Sequence, residues 1–207
     1  MTNAHVEFWK GEFGDSYVGR NNSEELLESN KIFFAQIFEH ALGVQTYLEV
    51  GANIGMNVQA IGAIRPDLVG TAIEPNHAAH SQLAQVTRTP REAINASIQE
   101  FETSQRWDLV FTKGVLIHVT PDDLVGIYKK MASLASRYVV IAEYYNPSPV
   151  SLNYRGHADR LFKRDFAGEF LSTNPEFKLR EYQFVYKGDP IAPQDDITWF
   201  LMERFED

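Results

Sequence analysis

The run Tyr47-Leu48-Glu49-Val50-Gly51-Ala52-Asn53-Ile54-Gly55 constrains the fold of this chain more than any other stretch, because it ends an apolar segment in an acid and two glycines. A strand turns directly into a helix only where the backbone is unencumbered, and such a turn leaves amide N–H groups and a helix N-terminus open to a ligand. A second acid, Glu74, closes the next apolar run, Val69-Gly70-Thr71-Ala72-Ile73. Its carboxylate is expected at the carboxyl end of the neighbouring strand, where sheets of this kind bind ligands and where a carboxylate accepts both hydroxyls of a ribose. Either glycine alone reads as an ordinary βα turn. The ordered set reads as a nucleotide site.

The rest of the chain repeats the same rhythm. Asn22-Ser23-Glu24-Glu25 opens a helix whose Leu26, Leu27, Phe33, Phe34, Ile37, Phe38 and Ala41 recur at helical spacing until Gly43. A strand over 46–50, a helix after Gly55 that stops at Pro66, a strand over 69–73 and a helix over 77–87 follow. Residues 92–96 give a third strand and 107–111 a fourth. Thr120-Pro121-Asp122-Asp123 then opens a helix with a cap, a first-turn proline and first-turn acids. After a fifth strand over 137–143 the pattern predicts a loop over 144–157, a short basic helix over 159–171, and two strands near 179–187 and 197–204 with no full helix between them. Five parallel strands alternating with helices, closed by a hairpin at one edge, make a three-layer α/β domain.

Composition limits the function classes. The 207 residues suit one domain, and 44% hydrophobic content with 14 Phe and 9 Tyr supplies a real core. No apolar run approaches the ~20 residues that cross a bilayer, and the start lacks the basic and apolar regions of a secretory signal, so a cytoplasmic protein without membrane partners is expected. The absence of cysteine removes disulfides and thiolate metal sites, no histidine pair has ligand spacing beside acids, and no metal is expected. A formal charge of −9 argues against a nucleic-acid partner, because phosphate binding relies on clustered cations. A small-molecule substrate is the expectation.

The order of parts resembles the class I S-adenosylmethionine-dependent methyltransferases, whose final hairpin separates them from ordinary dinucleotide folds. More narrowly, the segment from Phe8 to Asn21 (Phe8-Trp9-Lys10-Gly11-Glu12-Phe13-Gly14-Asp15-Ser16-Tyr17-Val18-Gly19-Arg20-Asn21), the stretch from Leu48 to Gly55, and Lys113-Gly114-Val115-Leu116-Ile117-His118-Val119 resemble the pseudaminic acid biosynthesis-associated methylases. The resemblance implies a Rossmann-like methyltransferase fold with a seven-stranded, mostly parallel sheet and a C-terminal antiparallel hairpin. It divides the chain into an N-terminal helical lid (1–45), a cofactor-binding core (46–143), a substrate-side insertion (144–172) and the hairpin (173–207). Asn53 stands where the broader class carries a further glycine.

Carried over residue by residue, the resemblance implies that the turn with Glu49, Gly51, Asn53 and Gly55 lies against the methionine portion of S-adenosylmethionine and that Glu74 holds the ribose. Ile73 and Pro75 would flank the adenine, and Ser97 and Ile98 would read its edge and face, with simple core packing the competing role for Ile98. Lys113 and Gly114 close the fourth strand, and the residues through His118 would floor the cavity beneath the sulfonium. S-adenosylhomocysteine is the implied product. His118 is the first candidate base for an oxygen or nitrogen acceptor, or else a packed histidine of the crossover. Glu143, ending the fifth strand on the same edge, either serves the acceptor or anchors a loop.

Acceptor selection is expected in the N-terminal segment and in the insertion. Tyr17, Arg20 and Asn21, bracketed by Gly14 and Gly19, are the N-terminal candidates. In the insertion, Tyr144, Tyr145, Arg155 and His157 set cations beside aromatic faces, suited to an anionic group such as that of a nonulosonic-acid-type sugar. Lys163 and Arg164 read instead as a solvated helix face paired with Asp159, Asp165 and Glu169. Two other functions fit the same glycines and acid. One is a nicotinamide-dependent oxidoreductase, although the full Gly-x-Gly-x-x-Gly is missing. The other is a non-catalytic protein that binds S-adenosylmethionine.

Overall fold

The structure, a computed structural model, describes residues 4–11, 14, 23–88, 91–154 and 157–205, with the backbone alone at 4–6, 154 and 157–160. Nine strands and six helices of four residues or more occur among them. In chain order they are α1 (Ala4–Lys10), α2 (Glu24–His40), β1 (Thr46–Val50), α3 (Met56–Ile64), β2 (Val69–Ile73), α4 (His77–Val86), β3 (Arg91–Ile94), β4 (Trp107–Lys113), α5 (Pro121–Leu134), β5 (Ala135–Glu143), β6 (Val150–Tyr154), β7 (His157–Lys163), α6 (Phe166–Thr173), β8 (Phe177–Val185) and β9 (Ile197–Arg204). The main sheet has the order β3-β2-β1-β4-β5-β9-β8, and β6 and β7 form a separate two-stranded sheet. β1 to β5 are parallel to their neighbours, whereas β9 runs antiparallel between β5 and β8.

Alternation along the strands sends side chains into two layers. On one face Leu48, Val50, Trp107, Val110, Val139 and Ile141 pack with Leu124, Tyr128 and Met131 of α5 and with Phe166 and Phe170 of α6. On the other, Tyr47, Leu109, Phe111, Val140, Trp199 and Leu201 meet Phe33, Phe34 and Ile37 of α2 and Ala60 and Ile61 of α3. α2 begins as the sequence predicts, with the Ser23 hydroxyl accepting from Leu26 N–H at 3.1 Å. It ends at His40, and Gly43 lies in the following turn at φ +76. At α5 the expected Thr120 cap is not made. Thr120 instead donates its hydroxyl to Asp123 Oδ2 at 2.5 Å, and Pro121 starts the helix.

The insertion departs from expectation. Val150–Tyr154 and His157–Lys163 pair as strands β6 and β7 rather than giving a loop and the start of a helix, and α6 occupies only Phe166–Thr173, capped by Asp165 through Gly168 N–H at 2.8 Å. The charges at 159, 160, 163, 164 and 165 mimic helical spacing, but Leu152 pairs with Leu161 and Ser151 with Phe162, so antiparallel strand pairing governs the segment. Arg164 does pair with Glu169, at 2.6 Å, across the strand-to-helix junction rather than along a helix. Lys163 lies over the Tyr144 ring at 4.9 Å.

Gly70 shows how closely the sheet is packed beneath the site. It lies beside Tyr47 in the β1–β2 register, and a Cβ at Gly70 would stand 2.3 Å from Tyr47 Cζ, on a ring that is fully buried. A glycine inside a strand often marks such an approach. Gly70→Ala is therefore expected to destabilise the protein by about 1–3 kcal/mol, the scale of overpacking a filled core, read as a lower urea midpoint.

Candidate functional site

The strand order makes β1 the pivot, with β2 on one side and β4 on the other, and the site forms above their carboxyl ends. Gly51 leaves β1 at φ +74, and its N–H and that of Ala52 donate to Ile73 O at 2.9 and 3.0 Å. A Cβ on Gly51 would meet Val115 Cγ2 at 2.7 Å, so this turn and the β4 crossover are in near contact. Asn53 adopts φ 48, which accounts for its standing where a glycine is usual, since Asn tolerates the left-handed region better than other side chains. Gly55 caps α3 by backbone alone, at φ 86.

Glu74 ties this turn to the next. Its Oε2 accepts from Asn53 N–H and its Oε1 from Asn76 N–H, both at 2.8 Å, and the residue is buried. Burial raises its carboxyl above the ordinary range, while the two amides pull it back down. Each oxygen keeps a lone pair for a further donor. Asn76 in turn caps α4 through Ala79 N–H and donates to the Trp9 carbonyl at 3.0 Å.

A cavity of about 480 Å³ opens here, within the usual range for small-molecule sites. Of the ten residues expected at a cofactor, Gly51, Asn53, Glu74, Pro75, Ser97, Ile98, Lys113 and Gly114 line it. Gly114, at φ +69, has nothing within 4 Å of where a Cβ would sit. Glu49 and Gly55 lie behind the wall: Glu49 accepts from Asn57 Nδ2 at 2.7 Å, and Asn57 lines the cavity. Burial pushes the Glu49 carboxyl up to about 8, and its Oε2 is buried without a hydrogen-bond partner. Asn57 accepts from Asn30 at 3.0 Å, and Asn30 accepts from Gln194 at 3.0 Å, so a chain of amides runs from β1 to the β8–β9 loop.

His118 sits in the short 3₁₀ turn Leu116–His118 after β4, lines the cavity, and lies 4.5 Å, ring centre to ring centre, from Trp9 of α1. α1 is thus placed over the opening, held also by Lys10 on Glu100 at 2.6 Å. Glu143 has a different part from the one expected of a base. Its Oε1 accepts from the N–H groups of Val115 and Leu116 at 3.0 Å each and its Oε2 from that of Ile117 at 3.4 Å, so it fixes the turn that carries His118 rather than facing the cavity. Tyr144 lines the cavity, whereas Tyr145 is outside it, half exposed against Phe200 at 5.8 Å. Tyr17, Arg20, Asn21 and Arg155, and the side chain of His157, lie outside the described residues.

Sequence reasoning missed Asn30, Asn57 and the β8–β9 loop residues Lys187, Gln194 and Asp195, all of which line the cavity. Asn30 carried a signal, a polar residue four positions after Leu26 on the apolar face of α2; the loop residues carried none. No group of three metal-ligating side chains occurs among the described residues, and no helix among them is long and apolar enough to cross a membrane.

No family model matches the sequence, and no curated protein matches it. Solved structures do. The plantazolicin methyltransferase BpumL in complex with S-adenosylhomocysteine is 10% identical, covering 98% of this chain and 95% of its own at a TM-score of 0.68. Magnesium protoporphyrin IX methyltransferase from Synechocystis PCC 6803 with bound S-adenosylmethionine is 11% identical, covering 99% and 100% at 0.66. The sugar N-methyltransferase KedS8 from Streptoalloteichus sp ATCC 53650 is 13% identical, covering 95% and 94% at 0.67. At such identities the likeness is one of fold. This chain has the Rossmann-like methyltransferase fold.

The buried acids set a pH dependence. Burial raises Glu143 from 4.5 to about 7 against the pull of its backbone donors. A carboxyl raised in the folded state contributes stability that is complete below its unfolded value and is lost as pH rises through the folded one. Glu49 and Glu74 are shifted in the same direction. Stability is expected to fall between about pH 5 and about pH 8, and Glu143→Gln should make that slope shallower whatever it does to absolute stability. Urea midpoints across the range check this; parallel slopes would refute it.

Proposed function

We propose that this protein is an S-adenosylmethionine-dependent methyltransferase that methylates oxygen or nitrogen of a small polar acceptor. The observation that carries the proposal is Glu74, a buried carboxylate aimed by two backbone amides into a cavity beside a glycine turn, on this fold. The residues present suit the cofactor. Glu74 would take the ribose hydroxyls, Ser97 and Ile98 the adenine, and the turn from Gly51 to Asn53 the methionine portion, while Gly114 leaves open space above the end of β4.

When bound, S-adenosylmethionine supplies a methyl group already activated by its sulfonium. The protein's share is then position and exclusion of water. Trp9 and His118 close one wall together, and Glu143 holds the turn beneath His118, which fixes where the imidazole stands. His118 would take the proton that an oxygen or nitrogen acceptor loses. An acceptor with an anionic group, of the nonulosonic-acid type, is supported by the resemblance of the motifs quoted above. A polar acceptor is also in keeping with solved neighbours described as a sugar N-methyltransferase and as the N-methyltransferase NodS.

Calorimetric titration with S-adenosylhomocysteine and with NAD tests the cofactor directly. Glu74→Ala should weaken S-adenosylhomocysteine binding by about 1–3 kcal/mol, the scale for losing a charged hydrogen-bonding partner. Binding of NAD in place of S-adenosylhomocysteine would overturn the proposal. Once a metabolite screen with methyl-labelled cofactor supplies an acceptor, His118→Ala should lower turnover about 100-fold or more, with cofactor affinity kept. Wild-type turnover in that variant would remove His118 as the base.

A further inference from the structure

Glu74 and Lys113 stand at the carboxyl ends of β2 and β4, on opposite sides of β1, two strand spacings or about 10 Å apart across the sheet. Between them lies the Gly51 turn. Lys113 follows Thr112, the partner of Val50, and by alternation shares the sheet face of Leu109 and Phe111, where α2 packs. It lines the cavity, with Nζ 5.3 Å above the centre of the Phe33 ring.

Among the described residues no hydrogen bond or ion pair holds the Lys113 ammonium. Its electrostatic partners are Glu49, Asp195 and Glu143, none within 4 Å. Glu49 has its Oε1 taken by Asn57 and lies behind the cavity wall, Glu143 is turned to the amides of 115–117, and Asp195 is an exposed residue of the β8–β9 loop. Burial lifts the carboxyls of Glu49 and Glu143 to about 8 and about 7 and brings the Lys113 ammonium down to about 8, so at neutral pH the facing acids are weakened while the lysine stays mainly charged. A partly buried cation in a cavity wall, seated on an aromatic face and with no carboxylate in direct ion-pair contact, is suited to an anion on the ligand. The amides of Asn57 and Asn30, which line the same end, offer further polar contacts.

We infer that Lys113 holds the α-carboxylate of the cofactor's amino-acid end, so that Glu74 and Lys113 grip the same ligand at its two extremities. This rests on the proposed cofactor. It assigns to the Lys113 side chain a charge-pairing part, beyond closing a strand.

Two ligands separate the possibilities. S-adenosylhomocysteine carries the carboxylate, and 5′-methylthioadenosine keeps the nucleoside and the sulfur but lacks the amino-acid end. Calorimetry on the wild-type chain, Lys113→Met and Lys113→Arg is expected to show Lys113→Met losing about 10- to 100-fold in affinity for S-adenosylhomocysteine, the scale for a charged hydrogen bond. Its affinity for 5′-methylthioadenosine should stay within about twofold of the wild type, and Lys113→Arg should recover most of the loss. Unchanged S-adenosylhomocysteine binding in Lys113→Met would overturn the inference and leave the cofactor reading intact, with the lysine free for an anionic acceptor. Equal loss for both ligands would also overturn it, making Lys113 a packing residue. A wild-type chain that binds neither ligand would bring down the cofactor reading and this inference together.

Discussion

The carboxylate of Glu74 is the contact on which the site depends. It takes one amide from the turn after β1 and one from the turn after β2, so two loops that leave adjacent strands are set relative to each other by a single buried group. The Asn53 backbone is strained into the left-handed region to present its N–H, and Asn76 spends its side chain on capping α4 and holding the Trp9 carbonyl. The turn, the helix start and the overlying α1 are thereby fixed by one acid and the two asparagines it binds. A buried carboxylate is costly unless hydrogen-bonded, and here the donors are backbone groups that would otherwise lack partners at a turn.

Glu143 repeats the device on the other side of β1. Three successive amides of the crossover after β4 converge on it, and the crossover carries His118. Of the two roles the sequence leaves open for this acid, serving the acceptor or anchoring a loop, the three amide contacts are those of an anchor. The difference lies in direction: Glu143 ends β5, and its side chain reaches back toward β4 rather than into the cavity. The three buried acids and Lys113 are all shifted toward their neutral forms, which keeps the isolated site from holding several full charges in a low-dielectric pocket.

How much of this was legible follows from how local each signal is. β1, β2, β4 and β5 are apolar runs closed by Gly, Pro or an acid, and the sequence places them within two residues. α2 stops at His40, ahead of the turn that Gly43 makes, and β8 begins two residues before the expected 179. In the insertion, five charges at helical spacing point to a helix, whereas the pairing of Leu152 with Leu161 and of Ser151 with Phe162 is visible only across the strands. In the site, Gly51, Asn53 and Glu74 announce themselves through the turn. The contact of Gln194 with Asn30 joins residues 164 apart in sequence, and no local pattern encodes it. For Glu143 the sequence leaves two roles open, the acceptor or a loop anchor, because a residue's position at a strand end does not say which way its carboxylate turns.

That amide chain has a consequence for how the cavity holds together. Gln194 belongs to the β8–β9 loop, Asn30 to α2, Asn57 to the start of α3, and Glu49 to β1, and each passes a donor to the next. Each asparagine accepts through its carbonyl and donates through its amide, so reversing one would set like groups face to face along the line. The last member, Glu49, receives Asn57 on Oε1, and its Oε2 is buried behind the cavity wall without a hydrogen-bond partner. An oxygen buried without a partner costs free energy, and the shift of this carboxyl to about 8, which keeps it mainly neutral at neutral pH, lowers that cost. At the Lys113 end the ammonium faces the cavity without a direct ion pair, whereas at the Glu74 end the carboxylate is already aimed by two backbone amides. Pre-organisation at one end and a cation without a direct partner at the other suit a ligand that is hydrogen-bonded at one extremity and anionic at the other.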